Sequence, residues 1–483
     1  MWLLRIIVFA LVMIPLLGHL EKLPLRQYDE ARQAINALEM VQHGHPLVTY
    51  YDGAPETWNT KPPLLIWMQA SLMAVLGPGE LAVRLPSALA ALLTCGLLWY
   101  FARRYLHNER IGLLASLVLV TAAGYVRMHG TRTGDFDVLL ALTTTAASLS
   151  LFLWVNEKRN RWVMLFFVAI TLGVLTKGIA ALLFGPAWLL YVVFNGKLRE
   201  LLSLRTAYFG LAIFVFFGFG YYALRNQLQP GFLQAVFQNE LGGRYAQTTE
   251  GHAHDFGYYG QLLVSDHFFP WLSLLPFGLF FIWNTRFKLL RQLWIYLLLL
   301  TAIHLLVISA SGTKLEWYMM PEYPLLALLA AVGLYLVYDE VMLNATLSKT
   351  AAAVIVTIAL AVLFQSPYRR ILQTTYKPVE ASWDEENYAI CYYLREALQG
   401  KRTLAANKIA HYGYDAHARF YAMLCRDRGI EIEISRWENL KPGDMITVCH
   451  EEVADYIQEY YDCTLTESYK NVKTYAIHGR AIQ

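Results

Sequence analysis

Asp29-Glu30 and Lys61 stand at the two ends of one polar stretch, residues 28–63, between strongly apolar segments. The stretch opens Tyr28-Asp29-Glu30-Ala31-Arg32, passes His43-Gly44-His45-Pro46 and closes Asn59-Thr60-Lys61-Pro62-Pro63. A carboxylate at a membrane surface can take the proton of an attacking hydroxyl. A fixed cation suits a phosphate. Each residue also has a plainer reading. Asp29 is an N-cap and Glu30 complements the dipole of a helix whose one face carries Ala34, Ile35, Leu38 and Val41. Pro62-Pro63 fits a helix start, which leaves Lys61 unexplained.

Further candidates follow along the chain. Arg132-Thr133-Gly134-Asp135-Phe136-Asp137 runs into Val138-Leu139-Leu140. Asp137 therefore sits at an apolar boundary, where an ionisable group is a functional candidate by default. Its structural alternative is a pair with Arg132. Lys177 precedes Gly178 in a short gap between apolar runs. Glu240 and Arg244 are four apart and either pair with each other or contact a sugar phosphate. His252, His254 and Asp255 are a sparse set for a metal. Lys314 follows Ser311 and Thr313 and precedes Trp317-Tyr318, which read as interfacial aromatics.

These residues need a membrane framework, and the composition supplies it. The chain has 483 residues, 56% hydrophobic and 16% charged, against about 25% charged in soluble domains. Residues 366–483 hold 32 of the 77 Asp, Glu, Lys and Arg side chains, so a long membrane part (1–365) precedes a soluble tail. A net charge of +3 and the absence of any nucleic-acid motif give no reason to expect a nucleic-acid partner.

Windows of about 20 residues predict spans near 2–20, 81–102, 111–128, 136–155, 162–176, 179–194, 207–224, 259–283, 292–310, 320–338 and 350–365. That is about eleven, the first retained rather than cleaved. Leu64–Leu76 is too short to cross and reads as an interfacial or partly buried helix. Loops bearing Arg103, Arg104 and Arg110, then Lys158, Arg159 and Arg161, then Lys197, Arg199 and Arg205, then Arg286, Lys288 and Arg291 fall on the cytoplasmic side by the positive-inside rule. The first outer loop (21–80), 129–135, the turn at Lys177, 225–258, 311–319 and the tail face out. Lys61, Arg132, Lys177, Arg225, Arg244 and Lys314 are thus cations on the outer face. Singly, each is explained by snorkelling; as a set they favour an anionic headgroup.

The tail reads as mixed α/β. Helices are expected at 387–398 and 451–460, and strands at 430–434 and 445–448. Four of the five cysteines lie there without zinc-type pairing, open to one or two disulfides or to none.

The ordered motifs resemble a known family. They are the Asp-Glu-Ala-Arg loop, Lys61-Pro62-Pro63-Leu64, Ala82-Val83-Arg84-Leu85-Pro86-Ser87, Arg-Thr-Gly-Asp-Phe-Asp, Leu175-Thr176-Lys177-Gly178, Asn239-Glu240 with Arg244, and Lys314 with Tyr318 and Pro321. Over roughly 1–340 the chain looks like the bacterial branch of the protein O-mannosyltransferase superfamily, close to the aminoarabinose transferases that modify lipid A. The resemblance implies a membrane glycosyltransferase of the C-type fold. It implies sugar transfer from a polyprenyl phosphate carrier, usually with inversion, to a lipid, glycan or protein acceptor at the outer face of the inner membrane. By position it implies that Asp29, with Glu30 and Asp137, is catalytic. Lys61, Arg132, Arg244 and Lys314 then hold the donor phosphate, and Asp135, Lys177, Glu240 and Tyr318 complete the site. Aminoarabinose transferases commonly have a Glu before Lys-Pro-Pro that helps bind a metal. Here it is Thr60, so a divalent metal is compatible with the sequence but not required. A Gly- and Phe-rich span at 209–220 is a candidate to line the carrier groove. A flippase of lipid-linked sugars is the alternative. It predicts polar residues at mid-membrane and internal repeats; His304 is the most notable such residue, and the halves are not similar.

Overall fold

Long apolar runs dictate the architecture, because backbone in hydrocarbon must bond to itself. The computed structural model describes residues 2–127, 129–243, 251–346 and 348–481. Among them, seven helices are long and apolar enough to cross a membrane: Glu80–Tyr105, Phe136–Glu157, Asn160–Leu182, Arg205–Leu228, Lys288–Ser309, Glu316–Asn344 and Lys349–Thr375. An eighth is a pair, Tyr258–His267 and Trp271–Trp283, bent by 101°. The other three expected spans are helical but short: Trp2–Leu17, Glu109–Thr121 and Gly185–Phe194. The expectation of about eleven is thus corrected to seven or eight helices able to cross alone. A hydropathy window sums apolar residues and is blind to breaks, such as the one at Ala122. Leu64–Leu76 is short and partly buried, as expected.

Phe136–Glu157 is the central helix. Its side chains are buried almost throughout, so it must satisfy its own polar groups. Thr143 and Thr144 do so by donating to the Leu140 carbonyl at 2.9 and 2.8 Å. Lys349–Thr375 lies at the periphery, with Val354, Ile355, Ile358 and Val362 exposed. It continues ten residues past position 365.

The bundle has two distinct ends. At one, Arg5 pairs with Glu109 at 2.8 Å, Arg110 donates to the Tyr338 hydroxyl at 2.7 Å and Arg286 pairs with Asp339 at 3.0 Å. These residues come from the N-terminus and from loops expected on one side. The opposite end of the first helix, at Gly18 and His19, meets Arg132 and the candidate site.

In the loop of residues 21–80, helix Asp29–His43 is followed by a hairpin of β1 (Tyr50–Tyr51) and β2 (Ala54–Pro55). The tail holds β3 (Lys408–Ala410), β4 (Glu433–Ile434), β5 (Met445–Val448), β6 (Tyr461–Tyr469) and β7 (Val472–Arg480) in the order β4-β3-β5-β7-β6. β3 pairs parallel with β4 and β5, and β7 pairs antiparallel with β5 and β6. Helices Glu385–Leu398 and Glu451–Tyr460 and strands β4 and β5 coincide with the expected elements; helix Ala416–Asp427, β3 and the β6–β7 hairpin were not foreseen. All five cysteines are free thiols. The tail rests on the loop of residues 21–80. Arg26 pairs with Glu380 at 2.7 Å, Arg395 with Glu80 at 3.1 Å and Arg419 with Asp52 at 2.7 Å. Tyr421 donates to Glu80 at 2.6 Å and accepts from the Leu25 amide at 2.9 Å.

Candidate active site

Helix Asp29–His43 carries the first carboxylates. Tyr28, at φ 65°, occupies the N-cap, so Asp29 is not the cap; Asp29 and Glu30 form the first turn. Ala34, Ile35 and Leu38 are buried and Val41 is exposed. Glu30 is only 1% exposed. Arg84 grips it with two bonds, of 2.7 and 2.9 Å, and the Arg26 and Gly134 amides donate to it at 2.6 and 2.9 Å. Arg84 also donates to the carbonyls of Leu20, Leu23 and Pro24. Glu30 thus fastens loop 129–135 onto the helix, and its oxygens are committed. A Cβ at Gly134 would meet the Val83 side chain at 2.4 Å, so this approach needs glycine.

Loop 129–135 brings a residue that sequence reasoning missed. His129 stacks on Trp317 with ring centroids 3.8 Å apart and faces Asp135 at 3.3 Å. Ligand atoms of Asp29, His129 and Asp135 lie within 4.8 Å of one another. Burial opposes a charge on His129, but Asp135 outweighs it and, with Asp29 and Asp137, holds the imidazole up to about 9. Burial would likewise raise Asp135; His129 outweighs it and holds that carboxyl below its usual range. Trp317, expected as an interfacial aromatic, covers one face of the His129 ring. A lone histidine opening loop 129–135 was the available signal, and it carries no spacing pattern.

Asp137 begins the central helix and Lys177 ends its neighbour, and the two pair at 2.5 Å. Each charge complements its helix dipole. Asp137 therefore pairs with Lys177, not Arg132. Gly178, at φ 60°, allows the chain to turn immediately after the lysine. Lys61 bonds Glu240, which also accepts from Thr60 Oγ1 at 2.7 Å. Asn36 connects the two ends of the outer loop: Asn59 donates to it at 2.8 Å and accepts from the Lys61 amide at 3.1 Å.

Lys61, Asp137, Lys177, Glu240 and Tyr318 converge on one cleft of about 90 Å³, whose walls include Leu140, Ile179, Leu183 and Ile308. Tyr318 holds its ring 5.8 Å from the Lys177 ammonium. His304 lines the inner wall, bonded to Glu322 at 2.6 Å and stacked on Phe184. Residues 209–220 do not line the cleft; Phe209, Phe216, Phe217 and Phe219 point outward and are exposed. Lys314 is buried nearby and donates to the Ser311 carbonyl at 2.8 Å. Arg132 is drawn away: it donates to the carbonyls of Pro15, Gly18 and His19. Arg244 lies outside the described residues.

The donor sets differ in their fit to a metal. At Thr60 the nearby carboxylate is Glu240, already neutralised by Lys61, which does not fit a divalent ion. Asp29, His129 and Asp135 offer two carboxylates and an imidazole, a donor set that fits such an ion once His129 releases its proton. His252, His254 and Asp255 are not among the converging groups of described residues; His254 stacks on Tyr258.

Residues 60–221 match the family model described as dolichyl-phosphate-mannose-protein mannosyltransferase. The undecaprenyl phosphate-alpha-4-amino-4-deoxy-L-arabinose arabinosyl transferase of Aeromonas hydrophila is 28% identical over 320 residues, 65% of this chain and 57% of that protein. The chain thus spans less than two thirds of the length of the curated relatives it matches. The fold is similar to that of ArnT from Cupriavidus metallidurans bound to undecaprenyl phosphate, at TM-score 0.72 and 19% identity, over 98% of this chain and 97% of the other. It is similar also to the apo oligosaccharyltransferase of Archaeoglobus fulgidus, at TM-score 0.55 and 12% identity, over 98% and 74%.

Proposed function

We propose that this chain, which resembles the protein mannosyltransferase and aminoarabinose transferase-like glycosyltransferases in motifs and fold, transfers a sugar from a polyprenyl phosphate donor to an acceptor. The observation that carries the reading is the apolar-walled cleft lined by Lys61, Lys177 and Asp137, with the Asp29–His129–Asp135 group reaching it through Asp135, two residues before Asp137. A lipid-linked sugar phosphate has the complementary pattern: an apolar tail, an anionic phosphodiester link and a polar sugar.

The acceptor oxygen attacks the anomeric carbon opposite the phosphate. The new carbon–oxygen bond forms as the carbon–phosphate-oxygen bond breaks, the bonding pair leaving with the phosphate and the configuration inverting. Asp29 takes the acceptor proton. Lys61 and Lys177 stabilise the charge growing on the leaving phosphate. Asp137 and Glu240 hold these ammonium groups in position before the donor arrives. Glu30 acts as a positioning residue. A divalent ion held by Asp29, His129 and Asp135 would add positive charge beside the donor.

The site and the tail lie on the outer, periplasmic face of the bacterial inner membrane in this reading, supported by the alternating basic loops. The acceptor is a lipid, glycan or protein, which the tail (from about 366) helps to orient. The test is transfer of labelled sugar from a polyprenyl phosphate donor by purified protein. Asp29→Asn is expected to slow turnover by about 10²–10⁴-fold. Equal turnover in both would remove Asp29 as base. Movement of donor across vesicles without sugar transfer would replace this reading with a flippase.

A further inference from the structure

The tail holds a second cluster of ligand-type side chains that the proposed reaction does not use. His411 follows β3, and Cys449 and His450 follow β5. These strands pair in parallel, so their C-terminal ends deliver the three residues to one edge of the sheet. All three are buried, and their ligand atoms lie within 4.8 Å of one another. Cys449 Sγ is 3.4 Å from His450 Nδ1. That separation suits a thiolate and an imidazole sharing a tetrahedral ion, with bonds of about 2.3 and 2.0 Å.

The outer nitrogens of both rings meet Asn387 of helix Glu385–Leu398, and that of His411 also lies 3.1 Å from Nε2 of the buried His417. His450 Nε2 donates to Asn387 Oδ1 at 2.9 Å, and His411 Nε2 donates to the Asn387 backbone carbonyl at 3.2 Å. A metal-binding histidine characteristically donates its second N–H in this way, which fixes tautomer and ring orientation. The nitrogen left over on His411, Nδ1, is buried and has no hydrogen-bond partner among the described residues. A buried unpartnered nitrogen is costly, and a bound ion removes that cost. His450 Nδ1 accepts a long bond from the Tyr412 amide at 3.3 Å, which ligation would displace. A cavity of about 130 Å³, lined by Cys449 and His450 together with Glu386, Glu451, Lys470 and Lys473, provides room for a solvent molecule as fourth ligand.

We propose that His411, Cys449 and His450 bind a divalent transition-metal ion of the zinc class, oriented by Asn387. Imidazole and thiolate donors select such an ion over magnesium or calcium. His411 begins the loop that ends at Asp415. Within it, Tyr414 stacks on Tyr28 at 5.1 Å and accepts from Arg32 at 3.4 Å. The ion thus pins the base of the loop by which the tail touches the Asp29 helix.

The test uses purified full-length protein in detergent, stripped with a chelator and titrated with cobalt. The expected result is a thiolate-to-cobalt charge-transfer absorption saturating at about one equivalent and erased by zinc. Cys449→Ser is expected to abolish the absorption. Asn387→Ala is expected to weaken cobalt affinity about 10–100-fold while keeping it. Cobalt held by Asp29, His129 and Asp135 gives no thiolate absorption, so the two sites are separated. Wild-type protein of intact circular dichroism without the absorption, or an absorption that survives Cys449→Ser, would overturn the proposal.

Discussion

His129 is the residue whose behaviour the structure sharpens most. Its folded-state pKa, about 9, lies above its ordinary 6.5. The native state therefore binds this proton more tightly than the unfolded state. The stabilisation is complete below about pH 6.5, falls as pH rises and is gone above about pH 9, amounting to an order of 3 kcal/mol. Thermal unfolding of the protein in detergent and chelator is expected to lose stability across that window. His129→Gln is expected to be less stable at pH 6 and to flatten the profile. A wild-type melting temperature constant from pH 6.5 to 9 contradicts the assignment. The same scale explains Thr60. Its hydroxyl joins Lys61 on Glu240, so position 60 contributes a neutral donor and no carboxylate beside the Lys61 ammonium.

Among elements, the decisive contact is between the Asp29 helix, the helix Glu80–Tyr105 and loop 129–135. Arg84 and Glu30 are 3% and 1% exposed, so the pair cannot fall back on solvent. Breaking such a pair leaves a bare buried charge and costs about 3–5 kcal/mol. Arg84→Met is expected to cost that much in thermal or denaturant unfolding, and Arg84→Met with Glu30→Gln markedly less. Equal losses in both variants would mean that packing, rather than charge, governs this junction. The positions of Asp135 and Asp137 follow from the same contact, since the loop that Glu30 holds through the Gly134 amide leads directly into the central helix.

At the scale of the whole molecule, the tail is tied to the loop of residues 21–80 by ion pairs and hydrogen bonds. The pairs Arg26–Glu380, Arg395–Glu80 and Arg419–Asp52 bridge residues far apart in the chain. Truncation after Thr375 removes the tail partners of Leu25, Arg26 and Glu80. It is expected to leave the bundle inserted but to lower its melting temperature and expose the 21–80 loop to protease. A truncated protein as protease-resistant as the full chain would mean that the tail docks without supporting the loop. The sequence alone determined the membrane character, most helical segments, and the carboxylates and cations carried by the loops between them. Those features rest on local composition, hydropathy and motif order, which are written along the chain. The tertiary structure alone decided partners. It sent Arg132 to carbonyls, joined Asp137 to Lys177 and Lys61 to Glu240, committed Glu30 to Arg84, brought in His129 and shortened three spans. Each of these depends on which distant groups arrive at the same buried place, where an unpaired charge is too costly to leave. No spacing along one chain encodes that.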